Sequence, residues 1–95
     1  MTSLERQVDT VFVGRKPVMN YVLACLTLLQ NGSTDIVLKA RGGAISKAVD
    51  AAQILTKRYA PETSVRGVEI DTEEVESTVA GEKNIVSSIE SHLAP

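Results

Sequence analysis

The sequence has one cysteine, one histidine, three aromatic side chains and no tryptophan in 95 residues. A lone cysteine excludes an internal disulfide, and one Cys with one His gives no convincing zinc site. Any Ser-His-Asp or Cys-His relay would have to use His92, which lies close to the C-terminus and reads as an exposed terminal side chain. Cys25 falls within an apolar helical stretch, where a thiol behaves as a small hydrophobe. No Walker or dinucleotide-type glycine loop is present. The acids Glu69, Asp71, Glu73, Glu74 and Glu76 lack the ligand spacing and glycine of a calcium loop, so they read as a solvated strand face. These absences point away from an enzyme and from any metal or cofactor.

The shortage of aromatics bears on nucleic acids. Reading single strands by stacking needs exposed rings on a sheet. Here Phe12 falls in a strand, and Tyr21 and Tyr59 fall in helices, so a stacking platform is not expected. Nucleic-acid binding would have to go through phosphates. Long apolar runs are also missing, and MTSLERQVDT has no apolar stretch behind a basic head. The expectation is a cytoplasmic chain with no membrane partner, folded as one domain over 1–95.

What is present is a polarised charge pattern. Net charge is −2. Residues 1–60 carry eight basic and four acidic groups, a net +4, whereas residues 61–95 carry two basic and eight acidic groups, a net −6. A positive face can therefore exist on a protein of negative total charge.

Along the chain, TVFV at Thr10–Val13 ends a strand that begins near Val8. Gly14 breaks it, and Pro17 suits the first turn of a helix. Val18, Val22, Cys25, Leu26 and Leu29 share one helical face, and Asn31-Gly32 supplies the stop. DIVLKAR at Asp35–Arg41 is a second strand, and Gly42-Gly43 leads into a second helix. Ile45, Ala48, Val49, Ala52, Leu55 and Tyr59 form its expected core stripe, with Ala51 and Ile54 on a smaller apolar line. Pro61 ends it. Val65, Val68 and Ile70 mark a third strand, which is expected to continue to Val79. Ala80–Asn84 is a hairpin tip, and Ile85–Leu93 a fourth strand. The fold class is α/β: a two-layer βαβαββ sandwich, with two helices on one face of a four-stranded mixed sheet.

Both strand-to-helix turns carry bases. Arg15 and Lys16 precede Pro17, while Lys39 and Arg41 flank Gly42-Gly43. A helix N-terminus has unpaired N–H groups and partial positive charge, so a base there costs about 0.3–1 kcal/mol. Asp, Ser or Thr is usual at such positions. Bases at both turns suggest that the negative charge is supplied from outside, as phosphate. In a βαβα order the two turns fall at the same sheet edge.

VFVGRKPVMNYVLACLTLLQNG followed by DIVLKARGGAISKAVDAAQIL closely resembles the Alba family of archaeal chromatin proteins. The resemblance is dense from about Val11 to Pro61. It implies a two-fold dimer, binding to double-stranded DNA and to RNA, and coating and compaction of DNA at the chromosome or nucleoid. It places the family's basic pair at Arg15 and Lys16. Lys16 is then the candidate for acetylation, with an acetyltransferase and a deacetylase as implied partners. The nucleic-acid-binding candidates are Arg15, Lys16, Asn20, Lys39, Arg41, Gly42, Gly43, Lys47 and Lys83. Those for the dimer or dimer–dimer contact are Ala51, Ile54, Leu55, Arg58 and Tyr59.

The departures from the family pattern are an acidic third strand, a hairpin with Lys83 as its base, and Gly43 where a base is frequent. They imply weaker DNA binding. Two other readings stay open: an RNA-binding protein or a subunit of an RNA-processing ribonucleoprotein, and a scaffold that binds a basic partner through its acidic strands.

Overall fold

The computed structural model describes residues 7–76, 81 and 83–95. In chain order the elements are β1 (Val8–Phe12), α1 (Val18–Gln30), β2 (Asp35–Arg41), a short 3-10 turn (Gly42–Ala44), α2 (Ile45–Ile54), a π-helical turn (Leu55–Tyr59), β3 (Ser64–Glu76) and β4 (Lys83–Ala94). The strands form one sheet in the order β1-β2-β4-β3. β1 and β2 are parallel, which the α1 crossover permits, and the other two pairings are antiparallel. This is the βαβαββ sandwich expected from the sequence. The expected run of β3 to Val79 and part of the Ala80–Asn84 tip lie outside the described residues.

Local chemistry sets the boundaries. Pro17, with φ −58°, precedes the first helical residue of α1. At the other end Gly32 adopts φ +104°. Its N–H donates to the Leu29 carbonyl at 3.2 Å and that of Ser33 to the Leu28 carbonyl at 3.0 Å, a Schellman closure that requires the left-handed residue to be glycine. In β2 the pleat alternates: Ile36, Leu38 and Ala40 point to the helices, while Lys39 and Arg41 point away. Leu38 and Leu55 are fully buried, and each contributes about 1.5–3 kcal/mol through its burial. Burial also raises the Cys25 thiol to a pKa of about 11, which makes it inert.

Three expectations need correction. The buried stripe of α2 is Ala48, Ala51, Ala52 and Leu55, whereas Val49 and Tyr59 are exposed. Alanines let α2 pack close, so the smaller apolar line turns inward. The π turn, closed by the Ala60 N–H on the Leu55 carbonyl at 2.7 Å, adds a residue and rotates Tyr59 out. Ala51 and Leu55 therefore belong to the chain's own core, while Ile54 is half-buried and Arg58 and Tyr59 face outward. The third correction is His92. It sits within β4, paired with Val37 on one side and Gly67 on the other, and not at a frayed end.

Ile89, Ser91 and Leu93 of β4 face the helices, so Glu90 and His92 face the open side of the sheet. The long β3–β4 ladder carries apolar residues beyond the cover of the helices. Ile70 lies opposite Ile89 on the helix side, yet it is 80% exposed; Val68 and Ile85 are exposed too.

Candidate nucleic-acid interface

The parallel pairing of β1 with β2 brings the two basic turns together. Phe12 is level with Lys39, and the Val13 N–H donates to the Lys39 carbonyl at 2.8 Å. Both chains then leave the sheet at the same edge. Between them lies an open cleft of ≈ 660 Å³ lined by Val13, Gly14, Arg15, Arg41, Gly43, Ala44 and Lys47. Gly42 adopts φ +60°, which turns the chain sharply from β2 into the helical turn. Neither α1 nor α2 has a side-chain cap or an acid in its first turn. The cleft thus gathers three cations, glycine backbone from both turns and the uncapped start of α2 at Ala44, with no carboxylate among its lining residues.

The first turn is held from inside. Side chains on a helix lean toward its N-terminus, so Tyr21 reaches back from the first turn of α1. Its hydroxyl oxygen accepts the Gly14 N–H at 2.9 Å and the Lys16 N–H at 3.1 Å. Burial raises the Tyr21 pKa, but the Lys16 and Gly14 N–H donors and the charges of Lys47 and Lys16 outweigh it, leaving the group below its ordinary value. From α2, the Lys47 ammonium donates to the Gly14 carbonyl at 3.2 Å and to the Lys16 carbonyl at 2.6 Å. Lys47 is therefore first a clamp on the loop, with one of its three N–H donors left over. The sequence places Tyr21 within a helix and gives it no role at the turn. The available signal was its position four residues beyond Pro17.

The cations differ in how free they are. Arg15 and Lys16 are exposed, and neither forms an ion pair among the described residues. Arg41 meets Glu73 at 3.2 Å, Lys39 meets Glu90 at 3.5 Å and Lys83 meets Glu74 at 3.7 Å. Two bases of the first half, Lys39 and Arg41, are thus paired with acids of the second. These pairs are exposed and each contributes at most about 1 kcal/mol. A phosphate can displace Glu73, because charge-assisted bonds to Arg are stronger when the anion fits its planar fork. Lys39 lies on the open sheet face, and Asn20 is exposed in the first turn of α1. Lys83 is five residues along β4 from Ser88, the partner of Arg41, or about 17 Å at strand spacing. The structure therefore groups Arg15, Arg41, Gly43 and Lys47 in the cleft, with Lys16 and Gly42 adjoining it, and sets Lys39 and Lys83 apart. Phe12 is 73% exposed on the open face beside Lys39, a single ring where the sequence promised none.

Fold and edge together define a small α/β protein with a surface cleft suited to anions. The chain belongs to the Alba family: residues 9–74 match the Alba family model. It is 52% identical over 86 residues to DNA/RNA-binding protein Alba 1 of Archaeoglobus fulgidus, covering 90% of this chain and 94% of that one. With DNA/RNA-binding protein Alba of Methanocella arvoryzae it shares 47% identity, over 90% of this chain and 88% of the relative. Among solved structures, Alba from Thermoplasma volcanium superposes with a TM-score of 0.84 at 42% identity, covering 90% of this chain and 99% of that one. ALBA1 from Trypanosoma brucei superposes at 0.64 with 26% identity, over 95% of this chain and 71% of that one. No helix among the described residues is long and apolar enough to cross a membrane.

Proposed function

We propose that this chain binds duplex DNA and RNA through their phosphates, largely without regard to sequence, and that as a homodimer it coats and compacts DNA in the nucleoid. The observation that carries this reading is the convergence of two basic, uncapped strand-to-helix turns on one cleft with no acidic wall. The names of its relatives, DNA/RNA-binding proteins, agree with it. A phosphate in the cleft satisfies backbone N–H groups and cations at once. Nothing in the cleft is arranged to read base edges, so binding is sequence-tolerant.

The dimer places two such clefts on one nucleic acid. The exposed Val49 of α2 and Val68, Ile70 and Ile85 of the hairpin supply the apolar surface for it, and Tyr59 and Arg58 are left for contacts between dimers. Lys16 is the residue of the free cation pair that an acetyltransferase can neutralise and a deacetylase restore.

An RNA-centred role is the second reading. It is favoured by the pairing of Lys39, Arg41 and Lys83 with carboxylates, which reduces the charge offered to a long duplex. Affinity for a short duplex DNA and a hairpin RNA of matched length, measured across a salt series, separates the two. Phosphate-led binding gives a log–log slope of about 0.9 per contact on duplex DNA. A slope of several units on DNA is expected, a clear preference for the RNA moves the function to the second reading, and no binding to either at low salt removes both.

A further inference from the structure

The open face of the sheet carries a group of side chains that phosphate binding does not use. Glu69 on β3 lies directly opposite Glu90 on β4, and His92 follows Glu90 on the same face. One ligand atom from each, two carboxylate oxygens and an imidazole nitrogen, all lie within 4.8 Å of one another. Like charges directly opposed across a strand pair destabilise it, so this register holds two carboxylates together at a cost. Lys39 relieves part of that cost. Its Nζ is 3.5 Å from Glu90 Oε2, which leaves Oε1 turned toward His92 Nε2 at 3.9 Å. That spacing is too long for a hydrogen bond. The Nε2 atom is shielded from solvent and has no hydrogen-bond partner. An imidazole nitrogen with no hydrogen-bond partner, grouped with two carboxylates, can serve as an electron-pair donor to a cation.

We propose that Glu69, Glu90 and His92 form a site for a borderline divalent cation of the Zn²⁺ type, with water completing its coordination on the exposed side. The donor set selects the metal class. Imidazole nitrogen with carboxylate oxygen suits Zn²⁺, whereas Ca²⁺ and Mg²⁺ favour all-oxygen shells and Cu⁺ favours sulfur. Zinc bonds of about 2.0–2.2 Å place tetrahedral ligand atoms roughly 3.3–3.6 Å apart. Reaching that spacing takes rotation of the exposed Glu69 side chain and a closing of the 3.9 Å between Glu90 Oε1 and His92 Nε2 by a few tenths of an ångström. Lys39, whose Nζ lies 3.5 Å from Glu90 Oε2, competes with the cation for that carboxylate and by its charge weakens the site. The bound cation would cross-link β3 to β4 and relieve the Glu69–Glu90 repulsion. The site is independent of the phosphate cleft, since none of its three ligands lines that cleft.

The test is calorimetric titration of chelator-treated, tag-free protein with Zn²⁺ alone. One Zn²⁺ per chain is expected. His92→Gln and Glu69→Gln should each weaken binding at least about 10-fold. Lys39→Gln should tighten it, which a purely structural role for these residues does not predict. If His92→Gln does not fold, the nitrogen resonances of the His92 ring in the wild-type protein decide alone: they shift on Zn²⁺ addition if the ring is a ligand. The proposal is overturned by the absence of saturable binding, by equal affinity in wild type and His92→Gln, or by unmoved ring resonances.

Discussion

Lys16→Glu is expected to abolish duplex binding at physiological salt while leaving the fold intact. Lys16 is exposed, and only its backbone N–H and carbonyl are engaged, by Tyr21 and Lys47. Those bonds survive a change of side chain, so the loop keeps its shape. What changes is the charge of an exposed cation that forms no ion pair among the described residues. A charge-assisted contact contributes about 1.5–3 kcal/mol, and a dimer presents the residue twice, so roughly 3–6 kcal/mol is lost, about 100-fold or more in affinity. The slope of affinity against salt should also fall by about one unit for each engaged protomer. Fluorescence anisotropy across a salt series, with circular dichroism as the check on folding, measures both. By contrast, reversing Lys83 should do much less, because Glu74 already holds it and it stands far along the hairpin. A Lys16→Glu variant that binds as tightly as wild type would remove the cleft from the mechanism.

The second large effect is expected at Ile70. This side chain is 80% exposed and stands with Val68 and Ile85 on the part of the hairpin that the helices leave uncovered. Apolar patches of this kind on a small chain mark association sites. Ile70→Glu costs the isolated chain little, since the side chain is already in water. Burying its carboxylate without a partner in a dimer costs several kcal/mol. On the proposed dimer, analytical ultracentrifugation should therefore show wild type sedimenting as dimer and Ile70→Glu as monomer at the same concentration. Nucleic-acid affinity should fall with it, by roughly 100-fold or more, as the avidity of two linked clefts is lost. An Ile70→Glu variant that sediments as wild type would place the dimer contact elsewhere.

The sequence reveals those features that depend on local chemistry. Pro17, the Asn31-Gly32 stop and the alternation in DIVLKAR each act within a few residues, and they set α1 and β2 within a residue of where they lie. The convergence of the two basic turns also followed from the sequence, because a βαβα order puts both at one sheet edge. Features that depend on register between distant segments did not. No local pattern says that Arg41 will meet Glu73, 32 residues away, or that Lys39 will stand beside Glu90. Both follow from β4 inserting between β2 and β3. The basic and acidic halves seen along the chain are thus interleaved in space, and the free positive surface is narrower than the charge pattern suggests. The α2 stripe failed for a related reason. Helical periodicity gives the same face to Val49 and Tyr59 as to Ala48, and only the packing of alanines and the π turn decide which face goes in. His92 reads as a loose end in the sequence because the length of β4 depends on its pairing with β2 and β3.

The central claim is that phosphate settles at the two strand-to-helix turns, and amide chemical-shift mapping during titration with a short duplex tests it most directly. The predicted result is that the largest shifts fall on Arg15, Gly42, Gly43 and Ala44, with smaller ones at Gly14 and Lys16, whose N–H groups are bonded to Tyr21. Shifts concentrated instead on the open sheet face around Glu69, Glu90 and His92, with the turns unmoved, would contradict it.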